Sequence, residues 1–374
     1  MIYALGDLSM EGSKYANPSL KIFSKIMLLW GKDDFVVGNL ESPLLEKGTP
    51  APYKCVLKGK PGWAEIMRSA GVRLVSLANN HVMDYGPAGL LKTIKALEGA
   101  EILFIGAGEN IEKARLPYFQ KIDGTMTAFL ARSNVFVNSS NYIASPTKPG
   151  VAFFEIEEIK STVRECKKQA DKVILLLHWG LEHYDYPPVS QKKLAKDLIE
   201  AGVDVIIGHH PHVLQGTERI NNGIVCYSLG NFIFDDINWS FIDQDNKKQN
   251  RTVKLNHANR QGGVLRVNLA KDSFDYDLIP TVIRPDGSVD IHVSPERKNI
   301  YNRLSARLQM PCYNIFWKIY AFGREWNLRI KPMIQGKITW GKFRKIRFKH
   351  FQDSFHKIKK AAKIASGKST NPYD

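Results

Sequence analysis

The amino-acid sequence predicts an α/β protein whose parallel sheet is covered by helices on both faces, a doubly wound arrangement, and three observations lead there. Short β-rich runs alternate with segments whose apolar residues recur every three to four positions. Side chains able to do chemistry stand directly behind those runs, where loops at the carboxyl ends of parallel strands converge on one crevice. A chain of 374 residues with 44% hydrophobic composition can also bury a sizeable core.

In order, IYAL (2–5) is the first strand and leads to Asp7, and SLKIFSKIMLLW (19–30) has helical spacing. FVVGNL (35–40) is a strand that carries Asn39 and is followed by Glu41. GWAEIMRSAG (62–71) reads as a helix, RLVSLANN (73–80) as a strand ending at Asn80 and His81, and AGLLKTIKALEG (88–99) as a helix. The helix IKSTVRECKKQA (159–170) precedes the strand VILLLHW (173–179) with His178, and the helix QKKLAKDLIEAG (191–202) precedes VDVIIG (203–208) and then IVCYSLG (224–230). The polar stretch 236–262 has little apolar period and is expected to be a long loop or lid. GGVLRVNLA, SFDYDLIPTVI and SVDIHV (262–293) then read as a β meander.

The run VIIGHHPH (205–212) gathers three histidines around Pro211, before which the chain cannot be helical, and this suggests imidazoles collected for a ligand. Singly, the other strand-end residues have plain readings: Asp7 as a turn cap, Glu41 ahead of a turn, Asn79–His81 as a loop closure. Jointly they make a mixed nitrogen and oxygen set suited to one or two divalent ions (Mn, Fe, Zn or Ca), and with two ions to hydrolysis by a metal-activated water.

Cys55, Cys166, Cys226 and Cys312 are far apart with no CxxC, so free thiols are expected rather than a thiolate metal site or disulfides. The N-terminal MIYALGDLSM shows no basic leader, and no apolar run reaches the roughly 20 residues of a membrane span, so a cytoplasmic protein is expected. The net charge of +16 is uneven: from residue 301 onward 17 Lys or Arg stand against three carboxylates, a net +14, leaving +2 for the first 300 residues. Two parts are therefore expected, a main domain over 1–300 and a basic, aromatic-rich extension over 301–374 whose end is disordered.

GDLSM, NLESPL, SLANNHVMDYG, IGAGEN, LLHWGLEHYDYPP, GVDVIIGHHPHVLQG and YSLGNFIFD stand in the order and at the spacing of the capsule-synthesis family CapA, associated with poly-gamma-glutamate capsules. The chain resembles that family from about residue 2 to residue 236, and the family is similar in fold to the calcineurin-like metallophosphoesterases. The resemblance revises the expected fold to a four-layer αββα sandwich with the basic extension appended. It implies Asp7 as a first-metal ligand, Glu41 in the place of a bridging carboxylate, and Asn80 as a second-metal ligand. His81 would be the acid that protonates a leaving oxygen, His178 and His210 second-metal imidazoles, and His212 the histidine returning to the first metal. Two departures from the phosphoesterase pattern stand out. Ser9 occupies a position normally held by histidine, and Glu41 is one methylene longer than the usual aspartate.

Asp84 is expected either to accept the His81 ring N–H in a catalytic pair or to cap the helix near Pro87. Asn39, His209, Tyr184 and Asn231, with Glu182 beside them, are candidates for substrate contact by position alone. An anionic polymer or phosphoester substrate is expected. An anionic membrane surface is expected to meet residues 312–364, peripherally at the inner membrane face, and nucleic acid is not. The implied function is metal-assisted hydrolysis of phosphoester type in biosynthesis of an anionic surface polymer. Two alternatives stay open: a non-catalytic metal-binding scaffold of a membrane-bound synthase, or an enzyme of amide bonds in a polyglutamate-like chain.

Overall fold

The computed structural model describes residues 1–51, 54–135, 142–242, 248–269 and 274–327. In chain order the strands are β1 (Ile2–Leu8), β2 (Phe35–Leu40), β3 (Val72–Ser76), β4 (Leu103–Ile105), β5 (Ala107–Gly108) and β6 (Tyr118–Ile122). Next come β7 (Thr125–Ser133), β8 (Gly150–Val151), β9 (Lys172–His178), β10 (Val205–His209), β11 (Thr217–Ile220) and β12 (Gly223–Cys226). The last are β13 (Asn231–Ile233), β14 (Ile237–Ile242), β15 (Lys248–Val253), β16 (Gln261–Leu269), β17 (Phe274–Ile283) and β18 (Val289–Ile291). The helices are α1 (Trp63–Ser69), α2 (Gly86–Gly99), α3 (Ile111–Arg115), α4 (Ile156–Cys166), α5 (Val189–Glu200), α6 (Pro295–Leu308) and α7 (Tyr313–Glu325).

Two sheets carry the molecule. The first is ordered β18-β17-β16-β1-β2-β3-β4, with β13 also paired to β1. Its half from β1 to β4 is parallel and its half from β16 to β18 antiparallel, the latter being the meander expected from the sequence. The second sheet is ordered β11-β12-β10-β9-β7-β6, parallel in its four central strands and antiparallel at both edges.

Strand alternation shows how these sheets stack. Ile2 and Ala4 of β1 pack against Ile174 and Leu176 of β9 and Val205 and Ile207 of β10, between the sheets. Tyr3 and Leu5 point the other way, to Trp63 and Met67 of α1 and Leu90 and Leu97 of α2. In the second sheet Val173, Leu175 and Leu177 face Ile159 and Val163 of α4 and Leu194 and Leu198 of α5. The result is helix, sheet, sheet, helix, as the resemblance implies. The single doubly wound sheet expected from periodicity alone is therefore corrected: β9 pairs with β7 and β10 in the middle of a second sheet. A strand buried between a sheet and a helix layer reads as the same unbroken apolar run as one buried between two helix layers.

Two local expectations are also corrected. Residues 19–30 form two short 3₁₀ turns, Leu20–Phe23 and Ile26–Leu29, instead of an α-helix. The Ser24 hydroxyl bonds the Lys21 carbonyl and closes the first turn, one of the local bonds with which serine competes against helix. Within 236–262, β14 and β15 form an antiparallel hairpin where a loop was expected. Ile237, Trp239 and Phe241 alternate with polar residues at the strand period, and Ile237 is buried with Leu57, Phe234 and Ile283.

The turn to basic composition at 301 falls inside α6, and α6 and α7 pack on the second sheet's helical layer through Leu308, Tyr313 and Trp317. Most of the extension, 328–374, with the end expected to be disordered, lies outside the described residues. Among the described residues no helix is long and apolar enough to cross a membrane.

Candidate metal centre

Strand register brings the site together. Asp7 on β1 is level with Asn39 on β2 and Asn231 on β13, and His178 on β9 is level with His209 on β10. Because the central strands of each sheet are parallel, these residues leave the two sheets at their carboxyl ends, and the loops behind them close over one another. The close approach has a backbone requirement: at Gly208 an added Cβ would lie 1.9 Å from the Tyr227 carbonyl oxygen.

One group of side chains is Asp7, Glu41 and His212, fully enclosed, with one potential ligand atom from each within 4.8 Å of the others. Asp7 Oδ1 accepts from Asn39 Nδ2 at 2.8 Å, and Oδ2 lies 3.5 Å from His212 Nδ1. Glu41 Oε1 lies 3.6 Å from His212 Nε2 and 4.0 Å from His178 Nε2, yet neither Glu41 oxygen has a hydrogen-bond partner. Burial raises the Glu41 carboxyl, His212 opposes this, and the charges of Asp7 and Glu182 add to it, so the net direction is up. Burial alone would lower His212, but the carboxylates of Glu41, Asp7 and Glu182 override it and raise it. Without a metal both the Glu41 carboxyl and the His212 ring stay protonated near neutrality.

The second group is Glu182, His210 and His212, again with ligand atoms within 4.8 Å, but with Glu182 exposed at the rim. Burial works to raise Glu182, and the surrounding imidazoles, His210 first, bring it below its ordinary value. His210 is buried, its Nδ1 has no partner, and burial lowers it to about 4. His178 lies beside it, its ring tilted by 54° with centroids 4.8 Å apart, and is lowered well below its usual value by burial and by the neighbouring imidazoles. Asn80 Oδ1 meets His178 Nε2 at 2.8 Å. Both His210 and His212 sit at positive φ, 95° and 55° around Pro211, a strained backbone for side chains with a Cβ.

At the edge of the centre, His81 Nδ1 meets Asp84 Oδ2 at 2.8 Å. Asp84 is wholly buried, paired to Lys54 Nζ, and accepts the Leu57 backbone N–H at 2.6 Å. Asp84 therefore orients His81, the first of its two expected roles. The helix cap is not its work, since α2 starts at Gly86 with no side-chain cap bond. Burial lowers His81, Asp84 pulls it up, and Lys54 pushes it down, with a net fall.

Of the residues expected from sequence, Asp7, Glu41, Asn80, His81, Asp84, His178, His210 and His212 come together here, and Asn39 holds Asp7. Three residues expected to contact substrate make contacts within the protein. His209 is buried and its Nε2 bonds the Leu5 carbonyl at 3.1 Å, tying the two sheets together. Asn231 is buried and accepts at Oδ1 from His212 Nδ1 at 2.9 Å, positioning that ring. Tyr184 turns to the C-terminal helix, its hydroxyl donating to Glu325 at 2.6 Å and its ring against Trp317. Sequence reasoning missed Lys54, Asn79 and Asn259. Asn79 Oδ1 accepts the backbone N–H groups of His81 and Val82, and Asn259 Nδ2 donates to the His212 carbonyl. Asn79 sits in the same NNH run that revealed its neighbours, whereas Lys54 and Asn259 lie in loops without a pattern.

A divalent cation fits this donor set. A buried, unpartnered carboxylate is costly unless it is neutralised or paired with a cation. Both Glu41 oxygens are such orphans beside Asp7 and His212, and His210 Nδ1 is a buried nitrogen without a partner beside Glu182 and His212. Ser9 is also buried with its hydroxyl unpartnered. It is too short to replace an imidazole, so this end of the centre is poorer in nitrogen than the other.

The family model for the bacterial capsule synthesis protein PGA_cap matches residues 1–236, the segment that holds every residue of the two ligand groups. The chain belongs to the PGA_cap family. Two curated relatives are the capsule biosynthesis protein CapA of Bacillus anthracis, 35% identical over 57% of this chain and 54% of its own length, and the PGA biosynthesis protein CapA of Bacillus subtilis, 32% identical over 57% of each. The chain thus spans about half the length of the curated PGA_cap relatives it matches. Among solved structures, the calcineurin-like phosphoesterase YfkN from Bacillus subtilis aligns at 15% identity over 81% of this chain and 98% of its own, with a TM-score of 0.43, too distant to speak for chemistry.

Proposed function

We propose that this PGA_cap protein is a metal-dependent hydrolase of phosphoester type acting in the biosynthesis of an anionic surface polymer of the poly-gamma-glutamate kind. The observation that carries the reading is Glu41, buried with both oxygens unpartnered among Asp7, His178 and His212, with the His81–Asp84 pair at the edge. Asp7, Glu41 and His212 would hold one ion, and His210 with Glu182, His178 or Asn80 a second. When bound, a divalent ion supplies Lewis-acid charge to a substrate oxygen and acidifies water. Everything else falls to the chain. Asp84, accepting from His81 Nδ1, leaves Nε2 to deliver a proton to a leaving oxygen, and Lys54 Nζ pairs with the other Asp84 oxygen. An anionic substrate group close to His81 offsets the fall in its proton affinity caused by burial.

A cytoplasmic setting is part of this proposal, supported by four unpaired cysteines. The relatives' names, which concern capsule and PGA biosynthesis, support the polymer class. The test is elemental analysis of untagged protein together with turnover of a generic phosphodiester and of γ-linked polyglutamate, each with added Mn²⁺. Phosphodiester turnover that falls about 10²-fold or more in His81→Ala at unchanged metal content supports the reading. Polyglutamate cleavage alone moves the chemistry to amide bonds, and metal without either turnover leaves a scaffold.

A further inference from the structure

The aromatic C-terminal helix divides its side chains sharply. Tyr313 and Trp317 of α7 are buried in the core over the second sheet. The Tyr313 hydroxyl donates to the Pro187 carbonyl at 2.7 Å, and the Tyr320 hydroxyl meets the Asp185 carboxylate at 3.0 Å and its backbone N–H at 2.7 Å. That face is fixed to the body. On the other side Ile315, Ile319 and Phe322, with Trp326 directly after the helix and still in helical conformation, are 56%, 69%, 66% and 40% exposed. At about 100° per residue these four positions fall within about 60° of arc, so they form one stripe along the axis, opposite Tyr313 and Trp317. Lys318 is exposed at the border of the stripe, and Arg307 lies over the ring of Phe316 at its flank.

The charge of the adjoining chain narrows the choice of partner. Beyond residue 327 the chain carries 13 Lys or Arg against two carboxylates, beginning within three residues of Trp326. A second copy of this chain would bring the same positive charge and be repelled. A nucleic acid would meet the charge but offers nothing apolar along its phosphate backbone for four bulky side chains. A bilayer with anionic headgroups satisfies both features at once, taking the stripe at the acyl boundary and the basic chain at the headgroups.

We propose that the stripe Ile315–Ile319–Phe322–Trp326 seats α7 on an anionic membrane surface, with the basic segment C-terminal to it supplying the electrostatic attraction. The docking is independent of which bond the metal centre acts on. Flotation of the full-length protein with phosphatidylglycerol–phosphatidylcholine vesicles, against phosphatidylcholine alone, tests it. The expected result is binding to the anionic vesicles only, weakened at 0.5 M salt on the order of tenfold, and reduced at least about tenfold in Ile319→Glu/Phe322→Glu. Thermal unfolding of that variant should match the original, because both side chains are exposed, and Ile319→Leu/Phe322→Leu should bind as the original does. No binding by the original protein overturns the proposal. So does binding that the Glu variant keeps in full, which would assign it to the basic segment alone. A dimer in solution that the Glu variant converts to monomer also overturns it, because the stripe would then be an interface between copies.

Discussion

The two ligand groups of the centre share His212 and differ in almost everything else. Asp7 and Glu41 lie fully buried at the strand ends, and two carboxylates there face one imidazole that their charge has raised. Around His210 the balance is reversed, with imidazoles lowered by burial and by each other and a single carboxylate, Glu182, at the solvent rim. The first group, richer in oxygen, would suit a harder ion than the second, richer in nitrogen. Ser9, where an imidazole would otherwise add to the first group, sharpens that contrast.

The largest effect should come from the buried side. Glu41→Gln should lower Mn²⁺ affinity about 10²-fold or more, because a buried ligand oxygen of the first group is lost. Calorimetric metal titration reads it, and an unchanged affinity would remove Glu41 from the ligand set. A smaller change is expected at the rim: Glu182→Gln should weaken only the second equivalent of metal, by about tenfold. Equal loss of both equivalents would merge the two groups into one site.

The finest test uses protons. Glu41 is raised to about 8 and His212 to about 9, so near neutrality each carries a proton that a cation must displace. Affinity should therefore rise with pH up to about pH 9, by about tenfold per unit for each proton released. His210, lowered to about 4, is already neutral across that window and adds nothing to the slope. Titrations in two buffers of different ionisation enthalpy count the protons, and zero release would remove these protons from the comparison.

The site was far more legible in the sequence than the layering was. Asp7, Glu41, Asn80, His178 and His210 each follow an apolar run, and strand ends are few enough that such placement is informative. That β9 belongs to a second sheet was not legible, because pairing partners leave no local mark and both environments bury the strand equally. β7 was missed for a related reason: TMTAFLARS mixes small and polar residues, and its buried Arg132 is satisfied by Glu158 in a way that only the fold reveals. Tyr184, Asn231 and His209 each lie beside the centre in sequence and hydrogen-bond within the protein, which position alone did not reveal.

The left-handed backbone at His210 and His212 sets a trade-off between durability and function. Glycine would relax there at no steric cost, so a chain selected only for stability would drift toward Gly-Pro-Gly at these positions. His210→Gly should accordingly hold or raise the melting temperature of the metal-free protein while its second equivalent of metal is lost, measured by differential scanning calorimetry beside elemental analysis. In a library screened for thermal tolerance without selection for activity, 210 and 212 would be among the first positions to lose their histidines.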